Sequence, residues 1–127
     1  MSLRTPIARA RGMGSAKEGV EHWWHQRLTA VSNAVLILWF VFFFLVPYAS
    51  ADHATLTRAL QQPHNAVPLI LLLLSLFYHM TLGLQVVIED YVHIKPVKIA
   101  ALLGIRFVAV GLGAVAIFSV LRIAFGS

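Results

Sequence analysis

Three long apolar stretches, separated by short polar ones, set the frame of this chain. The first, residues 28–49, reads LTAVSNAVLILWFVFFFLVPYA. About 20 such residues in a helix cross a hydrocarbon core about 30 Å thick. The second, residues 66–90, is equally apolar, with one histidine, His79, near its middle. Residues 99–124 form the third. In lipid a lone segment must satisfy its own backbone hydrogen bonds, so each stretch predicts a transmembrane helix. Residues 50–65, SADHATLTRALQQPHN, read as a polar connection punctuated by Pro63 and Asn65. Residues 91–98, YVHIKPVK, read as a short turn with Pro96 as its breaker. The pattern predicts an all-α integral membrane fold. It is one anchor domain of three transmembrane helices, preceded by a cytoplasmic or interfacial tail over residues 1–27.

Polar and small residues inside the spans refine this picture. Ser32 and Asn33 lie in the first turns of the first span, where they could face other helices or a cofactor. Gly104, Gly111 and Gly113 give the third span small surfaces for close helix packing. Arg106 lies about 10 Å in from Ile99 at 1.5 Å per residue. It must snorkel or find an acidic partner, because an unpaired central arginine costs about 2.5–3.5 kcal/mol on insertion scales.

Composition agrees with the membrane reading. Of 127 residues only 12% are charged, too few to cover the surface of a soluble domain this size. The chain has no cysteine, which excludes disulfides, zinc thiolate sites and iron–sulfur clusters ligated by this chain. The net charge of +5 is concentrated at the start, in Arg4, Arg9, Arg11, Lys17 and Arg27. A nucleic-acid module is excluded because the apolar spans leave no soluble core. These residues read instead as the positive flank that orients a membrane protein. Lys95 and Lys98 in the second turn share that bias, while the 50–65 loop has only Arg58 and the C-terminus only Arg122. The N-terminus and the second turn are therefore expected on the cytoplasmic side and the C-terminus on the opposite side. No apolar region follows Arg4, so a cleaved secretory signal is not expected. The tail is Arg-rich and acid-poor like a mitochondrial transit peptide, but an uncleaved tail on the membrane surface is the preferred expectation. Residues 21–27, EHWWHQR, suit the headgroup layer. There Trp23, Trp24, His25 and Arg27 either anchor the chain or also line a pocket.

The candidate chemistry lies between Phe77 and Pro96, FYHMTLGLQVVIEDYVHIKP. An ionisable group within a span is functional by default. His79 is twelve residues, about 18 Å, from Tyr91 along a helix. It is a structural histidine, a proton relay or a haem ligand. No second acid or histidine shares its depth, which disfavours a relay. Haem ligation explains more. Gly83, at i+4, shares the face of His79, and its missing side chain lets a flat macrocycle lie against the helix. Asp90, at i+11, lies about 20° from that face. A low-spin haem usually takes two strong axial ligands. The second is then expected from another subunit or a second copy. At the cytoplasmic edge Tyr91 could donate to a quinone carbonyl, Asp90 could orient a basic group or water, and Arg27 could stabilise developing negative charge. Tyr91 as an interfacial belt residue, with Asp90 capping a turn or pairing with Lys95, is the simpler alternative.

Residues 79–92, HMTLGLQVVIEDYV, resemble the His…Gly…Asp-Tyr segment of the small hydrophobic membrane anchor of succinate dehydrogenase, respiratory complex II. Residues 14–31, GSAKEGVEHWWHQRLTAV, resemble the segment before that family's first helix. The resemblance implies a bacterial inner-membrane subunit of a four-subunit enzyme, a mitochondrial inner membrane being the less favoured setting. A flavoprotein with FAD oxidises succinate, and an iron–sulfur protein carries electrons to ubiquinone. This chain and a second, cytochrome b anchor share one haem b. On that pattern His79 is the axial iron ligand of this chain. Tyr91, Asp90 and Arg27 belong to the quinone site, with Arg27 also near the haem propionates. Trp24 is a pocket-rim candidate. The dicarboxylate site lies in another chain. A quinol:fumarate reductase anchor and a haem-free assembly subunit are the alternatives.

Overall fold

A computed structural model describes residues 13–126. Helix α1, Met13–Trp39, runs into a π-helical turn, Phe40–Leu45. Helix α2 spans His53–Leu60, α3 spans Pro63–Tyr91, and α4 spans Lys95–Phe125. Three of these rods are long and apolar enough to cross a membrane: Gly19–Leu45, Pro63–Tyr91 and Lys95–Phe125. Arg4, Arg9 and Arg11 of the expected tail lie outside the described residues. Its EHWWHQR segment is helical and continuous with the first span.

The prolines explain most boundaries that differ from expectation. Pro63 and Pro96 sit in the first turns of α3 and α4. A first-turn amide has no intrahelical acceptor, and the fixed proline φ suits a helix start. Pro96 therefore begins a helix rather than breaking a turn, and the connection shrinks to residues 92–94. At the other end of the first span the widened turn gives the Val46 amide a bond to Val41 O at 2.9 Å. It also stacks Phe44 against Trp39 and Phe40, with Tyr48 beyond at 5.4 Å.

The expected polar connection contains a helix. Asp52 caps α2 by accepting from the Thr55 amide at 3.1 Å. Leu56, Ala59 and Leu60 recur at the spacing of one helical face. Hydrogen bonding by Thr55 holds the Asp52 carboxyl below its ordinary pKa. The cap is thus fully present above the ordinary carboxylate range and is lost as pH falls through the depressed value. Two further bonds tie α2 to its neighbours. Gln61 Nε2 donates to Gly126 O at 2.9 Å, and Asn65 Nδ2 donates to Ala59 O at 3.0 Å.

Helix α3 is central, with α1 packed along one side and α4 along the other. The N-terminal part of α1 and the 92–94 turn share one end of the molecule, and α2 and the C-terminus the other. Few side chains are buried; Leu72 and Leu82 on α3 and Ala109 and Val120 on α4 are among them. Most large apolar side chains face outward, as expected where the solvent is lipid or another subunit. Of the three α4 glycines, only Gly113 faces a neighbour, the Phe77 ring, and a Cβ there would meet it at 3.6 Å, an ordinary van der Waals contact. A Cβ at Gly104 or Gly111 would meet nothing within 4 Å among the described residues. Arg106 is exposed and has no ionic partner among the described residues.

Asn65 is only 4% exposed and fixes the α2–α3 corner. Asn65→Ala should lower stability by about 0.5–1.5 kcal/mol, because it removes one of the two hydrogen bonds that Ala59 O accepts, the other coming from the Gln62 amide at 3.2 Å. Thermal unfolding in detergent, together with faster proteolysis within residues 53–62, measures this.

Candidate functional site

Polar residues on α1 and α3 meet in a ladder. Ser32 Oγ and Ser75 Oγ share a hydrogen bond. Thr29 Oγ1 lies 2.9 Å from His79 Nδ1, and Tyr78 Oη lies 2.9 Å from His25 Nδ1. The spacing explains the meeting. Thr29 and Ser32 are three residues apart, and Ser75, Tyr78 and His79 are three and four apart, so each set occupies one helical face. Packing two apolar helices in lipid gains little from hydrophobic burial, so such bonds fix their register. Of these residues the sequence reading singled out Ser32 as a possible helix contact. Thr29, Ser75 and Tyr78 were missed, although the Thr-x-x-Ser and Ser-x-x-Tyr-His spacings carry the signal.

The ladder sets the depth of His79. Counted from Ala66, His79 is about 20 Å along α3, some two thirds of a core about 30 Å thick. Its partner on α1, Thr29, lies two residues past the Trp-His-Arg flank, and the adjacent Tyr78 reaches His25 within that flank. A flank in the headgroups and a histidine at mid-bilayer are incompatible with this register. With the α1 flank taken at the headgroups, as its sequence leads one to expect, this register puts His79 toward that end of the helix pair. Helix α3 has 29 residues, about 43 Å, so its last turns reach past the hydrocarbon.

The same register divides the candidate residues into two groups. Arg27 is level with the His79 region, and its guanidinium sits over the Trp23 ring at 4.7 Å. Trp23 in turn meets Trp24 edge-on at 5.1 Å. Tyr91 lies twelve residues further along α3 than His79, about 18 Å away. Arg27 and Trp24 thus do not converge with Asp90 and Tyr91 inside this chain. Asp90 is exposed, and Tyr91 is 78% exposed at the last helical residue. Asp90 forms no ion pair with Lys95. Its neighbour Glu89 accepts from Gln85 at 3.1 Å.

Gly83 lies one turn from His79, and a Cβ placed there would meet nothing within 4 Å. Among the described residues the helix surface at Gly83, one turn from His79, is therefore open. Among the described residues no three His, Asp or Glu side chains cluster as a metal site. The donor set at His79 is a single imidazole, which suits an iron whose equatorial ligands come from a macrocycle. A groove of about 590 Å³ runs between α3 and α4, with Phe77, Tyr78, Gln85, Arg106 and Ile117 in its lining.

Fold and site together define a class: an all-helical, three-span membrane subunit with histidines held in an interhelical polar seam. Residues 1–119 match the family "Succinate dehydrogenase/Fumarate reductase transmembrane subunit", and the chain belongs to it. It is similar to the succinate dehydrogenase hydrophobic membrane anchor subunit of Rickettsia bellii, 33% identical over 108 residues, covering 85% of this chain and 86% of that one. The corresponding subunit of Rickettsia conorii is 34% identical over 90 residues, 71% of each chain. The succinate dehydrogenase membrane anchor subunit of Reclinomonas americana is 31% identical over 96 residues, 74% of this chain and 80% of that one. No solved structure matches the chain. The chain is a membrane-anchor subunit of an oxidoreductase complex and a multi-pass protein of a bacterial inner membrane.

The ladder should be measurable by a double-mutant cycle. Ser32→Ala and Ser75→Ala should couple by roughly 0.6–2 kcal/mol in detergent unfolding. A coupling near zero would mean that the hydroxyl pair does not set the register.

Proposed function

We propose that this chain anchors a succinate:ubiquinone oxidoreductase, supplies His79 as one axial ligand to a haem b, and offers Asp90 and Tyr91 to the quinone. The observation that carries this reading is the pairing of a held imidazole, His79, with the open helix surface at Gly83 one turn away. The chain's own residues give one strong ligand, so the second ligand comes from a cytochrome b anchor packed against it. Arg27, level with His79, belongs with the anionic propionate edge of that group rather than with the quinone. Trp24 lies with it. When bound, the haem supplies a one-electron relay near the membrane face.

The quinone edge works by hydrogen bonding and proton supply. Reducing a quinone to a quinol takes two electrons and two protons. The electrons arrive from succinate through FAD and iron–sulfur clusters in the flavoprotein and iron–sulfur subunits. The exposed phenol of Tyr91 donates to a quinone carbonyl oxygen as charge builds there. Asp90, exposed beside it, orients the water or basic group that replaces the proton. Both sit where α3 leaves the hydrocarbon, so an apolar quinone tail stays in lipid while the headgroup meets polar groups.

A haem-free anchor is the second reading, and the Thr29–His79 bond favours it, since that bond already satisfies one nitrogen of a packing histidine. The family also includes fumarate reductase subunits, whereas the curated relatives above carry succinate dehydrogenase names.

A reduced-minus-oxidised spectrum of the purified complex separates these readings. A b-type signal that is lost or shifted in His79→Ala, and weakened in Gly83→Leu, is expected. An unchanged signal in His79→Ala removes this chain from haem ligation. Tyr91→Phe should lower succinate:quinone turnover about tenfold or more, the equivalent of one transition-state hydrogen bond. Electron transfer from succinate to a soluble artificial acceptor should stay the same. Equal quinone kinetics in the two proteins would take Tyr91 out of the site.

A further inference from the structure

We propose that Thr29 is a positioning residue for His79: its hydroxyl fixes the imidazole tautomer that leaves Nε2 unprotonated and raises the basicity of that nitrogen. This inference rests on reading His79 as the haem ligand. The argument is a proton count at one oxygen. Thr29 Oγ1 lies 2.8 Å from His25 O, 3.0 Å from Gln26 O and 2.9 Å from His79 Nδ1. The hydroxyl carries one proton, and carbonyl oxygens only accept. If that proton pointed at Nδ1, the Oγ1 lone pairs would face two carbonyl oxygens at hydrogen-bond distance with nothing between them. With the proton on the carbonyl side, Oγ1 has a lone pair free to accept, and Nδ1–H is the donor that reaches it. In a neutral imidazole the proton on Nδ1 leaves Nε2 as the lone-pair donor.

The bond does more than choose a tautomer. Nδ1–H donates to Oγ1, and Oγ1–H donates to a helix carbonyl, so the two bonds polarise in the same sense. Such outer partners fix ring orientation and strengthen the ligand nitrogen. A more basic axial nitrogen favours ferric over ferrous iron and so lowers the midpoint potential. Anchoring is rigid because Thr29 is part of a helix whose register the Ser32–Ser75 bond also holds. No histidine or acid of α3 or α4 competes for Nδ1 among the described residues.

The experiment uses the assembled complex with wild-type, Thr29→Val, Thr29→Ser and His79→Ala anchors. Its readouts are the haem midpoint potential, the ferric electron paramagnetic resonance spectrum and haem retention. Thr29→Val keeps the shape and removes the hydroxyl. It should shift the midpoint potential upward, move the ferric signal, and weaken haem retention by about 10–100-fold. Thr29→Ser should restore all three. If Thr29→Val fails to assemble, Thr29→Ala carries the same comparison against Thr29→Ser. A wild-type potential and spectrum in Thr29→Val, or equal shifts in the Ser and Val proteins, overturns the role of the hydroxyl. In that case a lost haem signal in His79→Ala shows that ligation itself stands. An unchanged signal in His79→Ala overturns the ligation reading and this inference with it.

Discussion

A polar side chain between two apolar helices must find its partner within a few ångströms, because lipid offers none. That requirement fixes the pairing of α1 with α3. The Ser32–Ser75, Thr29–His79 and His25–Tyr78 contacts stand at successive levels of one antiparallel seam. Sliding the helices by one residue would separate all three at once. The leucines and valines around the seam tolerate many registers, since they meet similar methyl groups in lipid and in protein. The few hydroxyl and imidazole groups therefore carry the specificity, and the depth of every other candidate residue follows from them.

The fold class was legible because crossing a membrane leaves a length signature that needs no tertiary context. Three apolar runs, no cysteine and few charges were enough. Element boundaries were less so. Pro96 was read as a breaker, although a proline two residues into a helix is as compatible with a start. The D-x-x-T start and the Leu56, Ala59, Leu60 spacing of α2 were present but short, and polar residues around them masked a single turn-and-a-half face. The spatial relation among the candidates His79, Gly83, Asp90 and Tyr91 was legible because all lie on one helix, where spacing converts directly to geometry. Arg27 and Trp24 lie on another helix. Their relation to Tyr91 depends on register, and register is set by pairwise contacts that a one-dimensional pattern does not contain.

The two-level arrangement has a consequence for how such a subunit divides its work. His79 sits in the seam, hydrogen-bonded to Thr29 of this chain. Tyr91 and Asp90 stand exposed at a helix end, with Tyr91 held only through its backbone. Groups that tune a fixed prosthetic centre gain from rigid support, since small displacements of a ligand change bond strength. Groups that receive a diffusing substrate must be reachable from lipid and completed by the subunit that delivers electrons. On the function proposed above, the difference in burial between the two levels is the physical form of that division.

Two buried polar atoms of α1, His22 Nε2 and Asn33 Oδ1, have no hydrogen-bond partner among the described residues. Most such atoms in folded proteins are paired with protein or ordered water. Both lie on the helix whose polar face meets α3, and Asn33 directly follows the Ser32 rung. Gly104 and Gly111 present bare backbone on α4 to nothing among the described residues. An anchor that folded as a finished object would have closed these positions internally. Left as they are, they argue that the stable unit is larger than the chain: α1–α3 pairing is specified from within, while the outward faces take their final environment from the assembly and the lipid around it.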